Sequence, residues 1–502
     1  MEDSSRSTNI RNIILPALYL IGVSACLYAI LADNGYDDPF ITYRYAHNLA
    51  QGQGFVFNPG ERVLSTTTPL FTLILAALNL ITPELPRLAN LIGAVSLALS
   101  ALLIWDLSKT WKTPEVGWAA LLLYPTFTLP ATTLGSETPL YITFCLAAFA
   151  FYARRKHSLA AVFAALAALT RPDGILVAVI LAAHYLLFIR RPVPWKTVLL
   201  FVAILIPWFL FAWFYFGSPL PVTLVVKQHQ GALAVSQQFA RGFFSILSWY
   251  VSGWQYWVEI ILAVLGFYWL VRKSHQWSLV LSWTALYFIA YCLLRVSRYF
   301  WYYAPLVPGL IILVGLGIAA MTYWIREGSL SLHKQSPTDG TSAPVPVDRP
   351  AIRRERLSKL AAVFLLILLA VPQALDIWQL KVHPDGRAAI YRDVGYWLEA
   401  NTAPDTLIGS LEAGIIGYYS GRPIVDFAGL FQPQVARQMV PGSTYDDAAL
   451  WAMEKYSPEY VVLVKGDLRH LKQTYLDERC KIVQRFPEEV YKSMAVNIYL
   501  CQ

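Results

Sequence analysis

The sequence predicts a polytopic α-helical membrane protein that closes with a small α/β domain, and three observations carry that prediction. Of its 502 residues 56% are hydrophobic and 14% charged, mean hydropathy is +0.46, and apolar runs recur at lengths able to cross roughly 30 Å of hydrocarbon. Charge is divided unevenly: residues 376–502 hold 13 Lys/Arg against 16 Asp/Glu, leaving +11 on the first 375. Finally, the tail changes texture, with helical spacing in RAAIYRDVGYWLEANT and short strand patterns in DTLIGSL, RPIVDFAG, EYVVLVKG and AVNIYLC.

Each element follows from the rule that basic clusters stay cytoplasmic. With Arg6 and Arg11 inside, a first span at 12–32 leads outward; it lacks a convincing small-residue cleavage site and reads as an anchor. The external loop 33–87 comes next. Its apolar stretch 68–81 is short and bounded by prolines, so it is expected to lie at the interface. Spans at 88–107, 115–131, 139–153, 158–170, 174–189 and 197–216 then place Lys109, Lys112, Arg154, Arg155, Lys156, Arg190 and Arg191 inside. An external segment 217–253 follows, then spans at 255–271, 277–294 and 303–325. The Ser/Pro/Gly- and Arg-rich stretch 326–358 reads as a cytoplasmic linker, and a span at 359–375 exports the tail. The expectation is about eleven spans over residues 1–375 and an extracytoplasmic domain over 376–502, in the plasma membrane with the N-terminus inside.

This topology also accounts for the pI near 9.1, and no basic and aromatic surface module points to nucleic acid. Cys26, Cys145 and Cys292 lie in or beside apolar spans, whereas Cys480 and Cys501 lie in the tail. An external tail would allow those two to form a disulfide; two free thiols are the alternative.

The order of spans gathers Asp37, Asp38, Arg44, Glu137, Arg171, Asp173, Lys227, His229, Arg295 and Arg298 on the external face. Carboxylates there could take a proton from a hydroxyl while Lys and Arg neutralise a phosphate. Each residue has a plainer use. The aspartates could cap the helix starting near Pro39, Glu137 could start a helix before Pro139, and Arg171 and Asp173 could pair across a tight turn. Lys227, Arg295 and Arg298 could reach ordinary headgroups, and His229 could be a solvated loop histidine. Interfacial anchoring explains most aromatics of WYVSGWQYW and RYFWYY, and helix-to-helix hydrogen bonding accounts for His184 and Glu259.

The stretches DDPFITYRYAHNLAQGQGFVFNPGERV, LGSETPLY, ALTRPDG, FGSPLPVTLVVKQ and GIIGYYSGRPIVDFAGL resemble the GT-C superfamily of membrane glycosyltransferases, in the branch that includes the mycobacterial arabinofuranosyltransferases. The resemblance touches nearly the whole chain and departs at STTTPL, 65–70, where relatives often carry Gly-Tyr-Thr. It implies a sugar donor on polyprenyl phosphate reached from the outer leaflet, inversion at the anomeric carbon, and a glycan, lipid or protein acceptor. By matching position Asp37 is expected to be the general base, and Asp38 to orient the acceptor or hold Asp37 in place; from their place on the external face, Arg44, Glu137, Arg171 and Asp173 are expected to bind or support the acceptor, and Lys227, Arg295 and Arg298 to bind donor phosphate. No obligatory metal is expected, although Asp37, Asp38 and Glu137 offer hard oxygen ligands of the kind Mg²⁺ or Mn²⁺ prefers. A transporter or flippase of polyprenyl-linked sugars is the competing class; the internal symmetry and midplane charges it usually needs are not evident. The tail motif GIIGYYSGRPIVDFAGL reads as strand-turn-strand with Gly414, Gly417 and Gly421 at turns.

Overall fold

The structure, a computed structural model, describes residues 2–327 and 349–501. Most of the expected linker 326–358 thus lies outside the described residues. Among the described residues eight helices are long and apolar enough to cross a membrane, and the chain is a multi-pass membrane protein. Helices begin within a few residues of each expected span except the first and the last, whose helices start at Glu2 and Arg349 rather than at 12 and 359. The largest departure is the last, which runs from Arg349 to Val382 instead of ending at 375. The region expected to cross at 115–131 is two short pieces, Pro114–Leu123 and Thr128–Ala131. At 1.5 Å per residue neither reaches across hydrocarbon alone.

Close packing in the bundle rests on small residues. Gly266 and Gly317 set the helices Trp254–Lys273 and Val307–Glu327 against each other, because a Cβ on Gly266 would strike the Leu313 carbonyl and one on Gly317 the Leu262 carbonyl. The stretch 68–81 forms the helix Pro69–Asn79, whose 11 residues are too few to cross. It lies beside the helix Asp37–Ala50, and the two bury Tyr43, Tyr45, Phe71 and Leu75.

The tail carries a mixed five-stranded sheet of order β2-β1-β3-β5-β4: β1 (Ile408–Ser410), β2 (Ile424–Asp426), β3 (Tyr460–Val464), β4 (Cys480–Phe486) and β5 (Val496–Cys501). β1 pairs in parallel with β2 and β3, while β5 runs antiparallel to β3 and β4. Alternation along β3 builds both faces. Val462 joins the core shared with Tyr43, Phe57 and Leu75 of the first loop, whereas Val461 and Leu463 pack with Ala448, Ala452 and Met453 of the helix Asp446–Tyr456. Cys480 and Cys501 sit opposite each other across β4 and β5 and form a disulfide.

The motif GIIGYYSGRPIVDFAGL corrects its strand-turn-strand expectation. Gly414 and Gly417 lie in a helix, Gly414–Ser420, and only Gly421 turns the chain, at φ 66°, where a left-handed C-cap favours glycine. The small residues are used for approach instead: Gly414 faces Asp37, and Gly417 faces Phe57 and Ile424.

Candidate active site

A cavity of about 470 Å³ lies where the first loop, the segment 220–227 and the ends of several membrane helices meet. Its polar lining comes from Asp38, Thr42, Ser65, Thr66, Thr67, Thr68 and Lys227, with Glu137, Arg171 and Asp173 on another side. Ile175, Leu176, Leu220, Leu224, Ala290 and Leu294 make the rest apolar. One space therefore offers both an ionic end and a hydrocarbon-compatible wall.

The acidic pair starts the helix Asp37–Ala50, yet neither residue caps it. The N-cap is Tyr36, with no side-chain cap bond. Asp37 instead reaches the tail, where the amide of Gly414 donates to its Oδ2 at 2.9 Å and that of Ile415 to its Oδ1 at 2.7 Å. A carboxylate has about four lone-pair positions, so each oxygen keeps one free. Burial raises the Asp37 pKa to about 6 against the lowering effect of those amides, and the Asp38 charge adds to the rise.

Asp38 faces the cavity, its side chain 31% exposed, and Lys227 Nζ lies 3.4 Å from its Oδ2. The ammonium of Lys227, 5% exposed in its side chain, also sits 3.9 Å from the Tyr299 ring centroid. Burial disfavours its charge, but Asp38 together with Tyr302 and Tyr445 outweighs this and holds its pKa above the usual lysine value.

Arg171 organises the other side. Its Nη1 donates to Glu137 Oε1 at 3.0 Å, its Nε and Nη2 grip Asp173 at 3.1 and 3.0 Å, and Nη2 also donates to Tyr291 Oη at 2.8 Å. The Tyr291 hydroxyl in turn donates to Asp173 Oδ2 at 2.8 Å. Burial raises the Glu137 pKa even so. Across the cavity the threonines bond one another: Thr66 Oγ1 lies 3.0 Å and Thr42 Oγ1 3.2 Å from Thr68 Oγ1.

The structure thus brings Asp38, Glu137, Arg171, Asp173 and Lys227 to one cavity, with Asp37 beside Asp38 in sequence. It does not bring Arg44, Arg295 or Arg298 to the lining. Arg44 is buried and donates to the Gly421 carbonyl at 2.8 Å, clamping the tail to the first loop. Arg295 is exposed between Leu294 and Val296, which do line the cavity, and Arg298 bonds Gln237 at 3.3 Å. The positive-inside rule assigns a side of the membrane but not a direction around a helix end. His229 is half-buried outside the lining.

Two tail residues that sequence reasoning passed over belong to this neighbourhood. Glu412, two positions before Gly414, is half-buried, and burial together with the charges of Asp37 and Asp38 raises its pKa. Asp426 is buried and accepts the amides of Ala428 at 2.8 Å and Leu430 at 2.7 Å; burial pushes its pKa up to about 7. The signal available was their place in short strand-end turns of a glycine-rich motif. Among the described residues no three His, Cys, Asp or Glu are grouped to hold a metal ion, and Glu137 is occupied by Arg171.

A family model described as a domain of unknown function, DUF8728, matches residues 379–499. No curated protein sequence matches the chain. Among solved structures, the fold is similar to that of ArnT from Cupriavidus metallidurans bound to undecaprenyl phosphate, at 14% identity over 96% of this chain and 97% of that one, with TM-score 0.61. The apo state of that protein gives 13% identity, the same coverage and TM-score 0.61. Arabinofuranosyltransferase AftD from Mycobacteria gives 14% identity over 97% of this chain and 40% of that one, with TM-score 0.54. The likeness to these structures is one of fold.

Proposed function

We propose that the chain is an inverting glycosyltransferase that moves a hexose or pentose from a polyprenyl-phosphate donor to a hydroxyl of a glycan, lipid or protein on the extracytoplasmic face. The observation that carries this reading is the two-natured cavity. Its Ile175, Leu176, Leu220 and Leu224 wall suits a polyprenyl chain, and its Asp38 and Lys227 end suits a phosphate joined to a sugar. The undecaprenyl phosphate bound in the ArnT structure supports a ligand of that kind.

Asp37 acts as the base from the tail side. Its carboxylate is held by two amides, keeps free lone pairs and has a pKa near 6. It takes the proton of the acceptor hydroxyl as that oxygen bonds to the anomeric carbon. The bond from that carbon to the phosphate oxygen breaks, and the polyprenyl phosphate leaves with the electron pair. Lys227 neutralises the charge developing on the phosphate, and Asp38 holds Lys227 in place. Arg171, already engaged by two carboxylates and a tyrosine, positions the cavity wall.

The test is transfer from a synthetic undecaprenyl-phosphate sugar to an alkyl glycoside by the purified chain, with hexose and pentose donors side by side. Wild type is expected to transfer one of them; Asp37→Asn is expected to bind the donor and lose transfer by about a hundredfold or more. Failure of both donors, or wild-type rates in Asp37→Asn, overturns the proposal.

A further inference from the structure

A second cavity, of about 370 Å³, lies away from the acidic pair among the helices His157–Thr170, Ile175–His184 and Trp195–Phe216. Alanines make the space: Ala160, Ala161, Ala164, Ala178 and Ala182 line it where larger side chains would fill the gap between the helices. The lining is otherwise apolar except near one end. There His157 and Tyr152 contribute, with Tyr152 Oη 2.9 Å from His184 Nδ1. The cleft is open, since its Leu186, Val193 and Val198 are 54%, 36% and 38% exposed.

The same end is flanked by cations of a single sign. Arg155 and Lys156 immediately precede His157, while Arg190, Arg191 and Lys196 interleave with Val193, Pro194 and Thr197 of the lining. All five are exposed. Beside Arg155, Arg154 is engaged by Asp106; among the described residues the other five make no ion pair with a carboxylate. Arg155 and Arg190 take left-handed backbone angles, φ 58° and 53°, and Arg190 Nε donates to the Leu187 carbonyl at 2.9 Å. An apolar, alanine-lined cleft ending in positive charge unpaired with carboxylates among the described residues is complementary to a lipid with an anionic headgroup.

We infer that this cleft binds one anionic phospholipid, an acyl chain between the helices and the phosphate among Arg155, Lys156, Arg190 and Lys196. The site is independent of the proposed transfer reaction. Zwitterionic lipid gains the same apolar contact but no net attraction, so headgroup charge is the discriminating property.

The full chain in detergent is titrated with dioleoyl phosphatidylglycerol or dioleoyl phosphatidylcholine, and retained lipid is counted by native mass spectrometry. Phosphatidylglycerol is expected to stay bound where phosphatidylcholine is lost. Arg190→Gln with Lys196→Gln should weaken retention by about tenfold. Ala182→Phe, at an exposed lining position, should weaken it by filling the cleft, whereas Asp38→Asn in the other cavity should not change it. Equal retention of the two lipids, or undiminished retention in both cleft variants, overturns the inference. So does loss of phosphatidylglycerol from the cleft to undecaprenyl phosphate added at equal concentration, which would make the occupant a polyprenyl lipid.

Discussion

Asp37 and Gly414 stand 377 positions apart in the chain, and the Gly414 amide donates to the Asp37 carboxylate at 2.9 Å. The bond ties the tail to the loop that follows the opening membrane segment, and it requires glycine. A Cβ at position 414 would collide with the Asp37 carbonyl and stand 2.8 Å from its Oδ2. Gly414→Ala should therefore loosen this junction at a cost of about 1–3 kcal/mol. Limited proteolysis of the tail and a lowered melting temperature read the loss; an unchanged protein would show that the contact is unnecessary.

Three carboxylates gathered by the tail, Asp37, Glu412 and Asp426, have raised pKa values, each chiefly from burial. In the pH range between their ordinary values near 4 and their raised folded values, the folded protein binds more protons than the unfolded chain. Their contribution to stability is then fully present below pH 4 and is lost as pH rises through about 6 to 8. Melting temperature measured in detergent should show this component falling over that window, and Glu412→Gln should flatten it. Catalysis should move oppositely, because a base must be ionised: kcat should fall as pH drops below about 6, the Asp37 value. A rate independent of pH between 5 and 8 would contradict the assignment.

Arg171 and Arg298 are both external cations by sequence, and their expected effects differ. Arg171→Met leaves Glu137 and Asp173 without the charge that compensates them, both side chains being about nine-tenths buried, at 12% and 10% exposed. A loss of about 3–5 kcal/mol is expected, seen as poor yield and a lower melting temperature. Arg298→Gln removes only a 3.3 Å bond to Gln237, and donor KM should stay within about twofold of wild type. Equal donor-binding losses in Arg298→Gln and Lys227→Met would restore Arg298 to the phosphate site.

The disulfide Cys480–Cys501 closes a sequence separation of 21 residues, so opening it should cost about 3 kcal/mol. Both Cys480→Ser and treatment with reductant should shift tail unfolding by that amount. A thiol titration that finds both cysteines free in protein from the membrane fraction would remove the bridge.

Metal dependence has a direct readout. Transfer is expected to survive excess EDTA; abolition by EDTA and recovery on adding Mn²⁺ would assign a metal to the acidic pair.

The linear pattern made much of the architecture legible. The helices at 88–107, 197–216 and 277–294 were visible because hydropathy and charge are averaged over whole segments, and the strands EYVVLVKG and AVNIYLC because alternation is local. Lys227 and the acidic pair stood out as charges beside apolar runs. The limits are equally specific. The glycines of GIIGYYSG looked like turn residues, since sequence reports their missing side chain without saying whether it serves a bend or a close approach. Arg295 and Arg298 were indistinguishable from Lys227, and Arg44 from the other acceptor-side residues, since sidedness does not fix azimuth.

The sequence by itself determined that this is a membrane protein with a mixed helix-and-strand tail, that an acidic pair follows its first apolar segment, and that its motifs resemble those of the GT-C superfamily. Only the tertiary structure decided that the tail's backbone grips Asp37, that Asp38 meets Lys227, and that Glu412 and Asp426 join their electrostatic neighbourhood. The reason is range. Hydrophobicity and periodicity act on consecutive residues, whereas hydrogen bonds and coulombic coupling act over a few ångströms between segments that folding alone brings together.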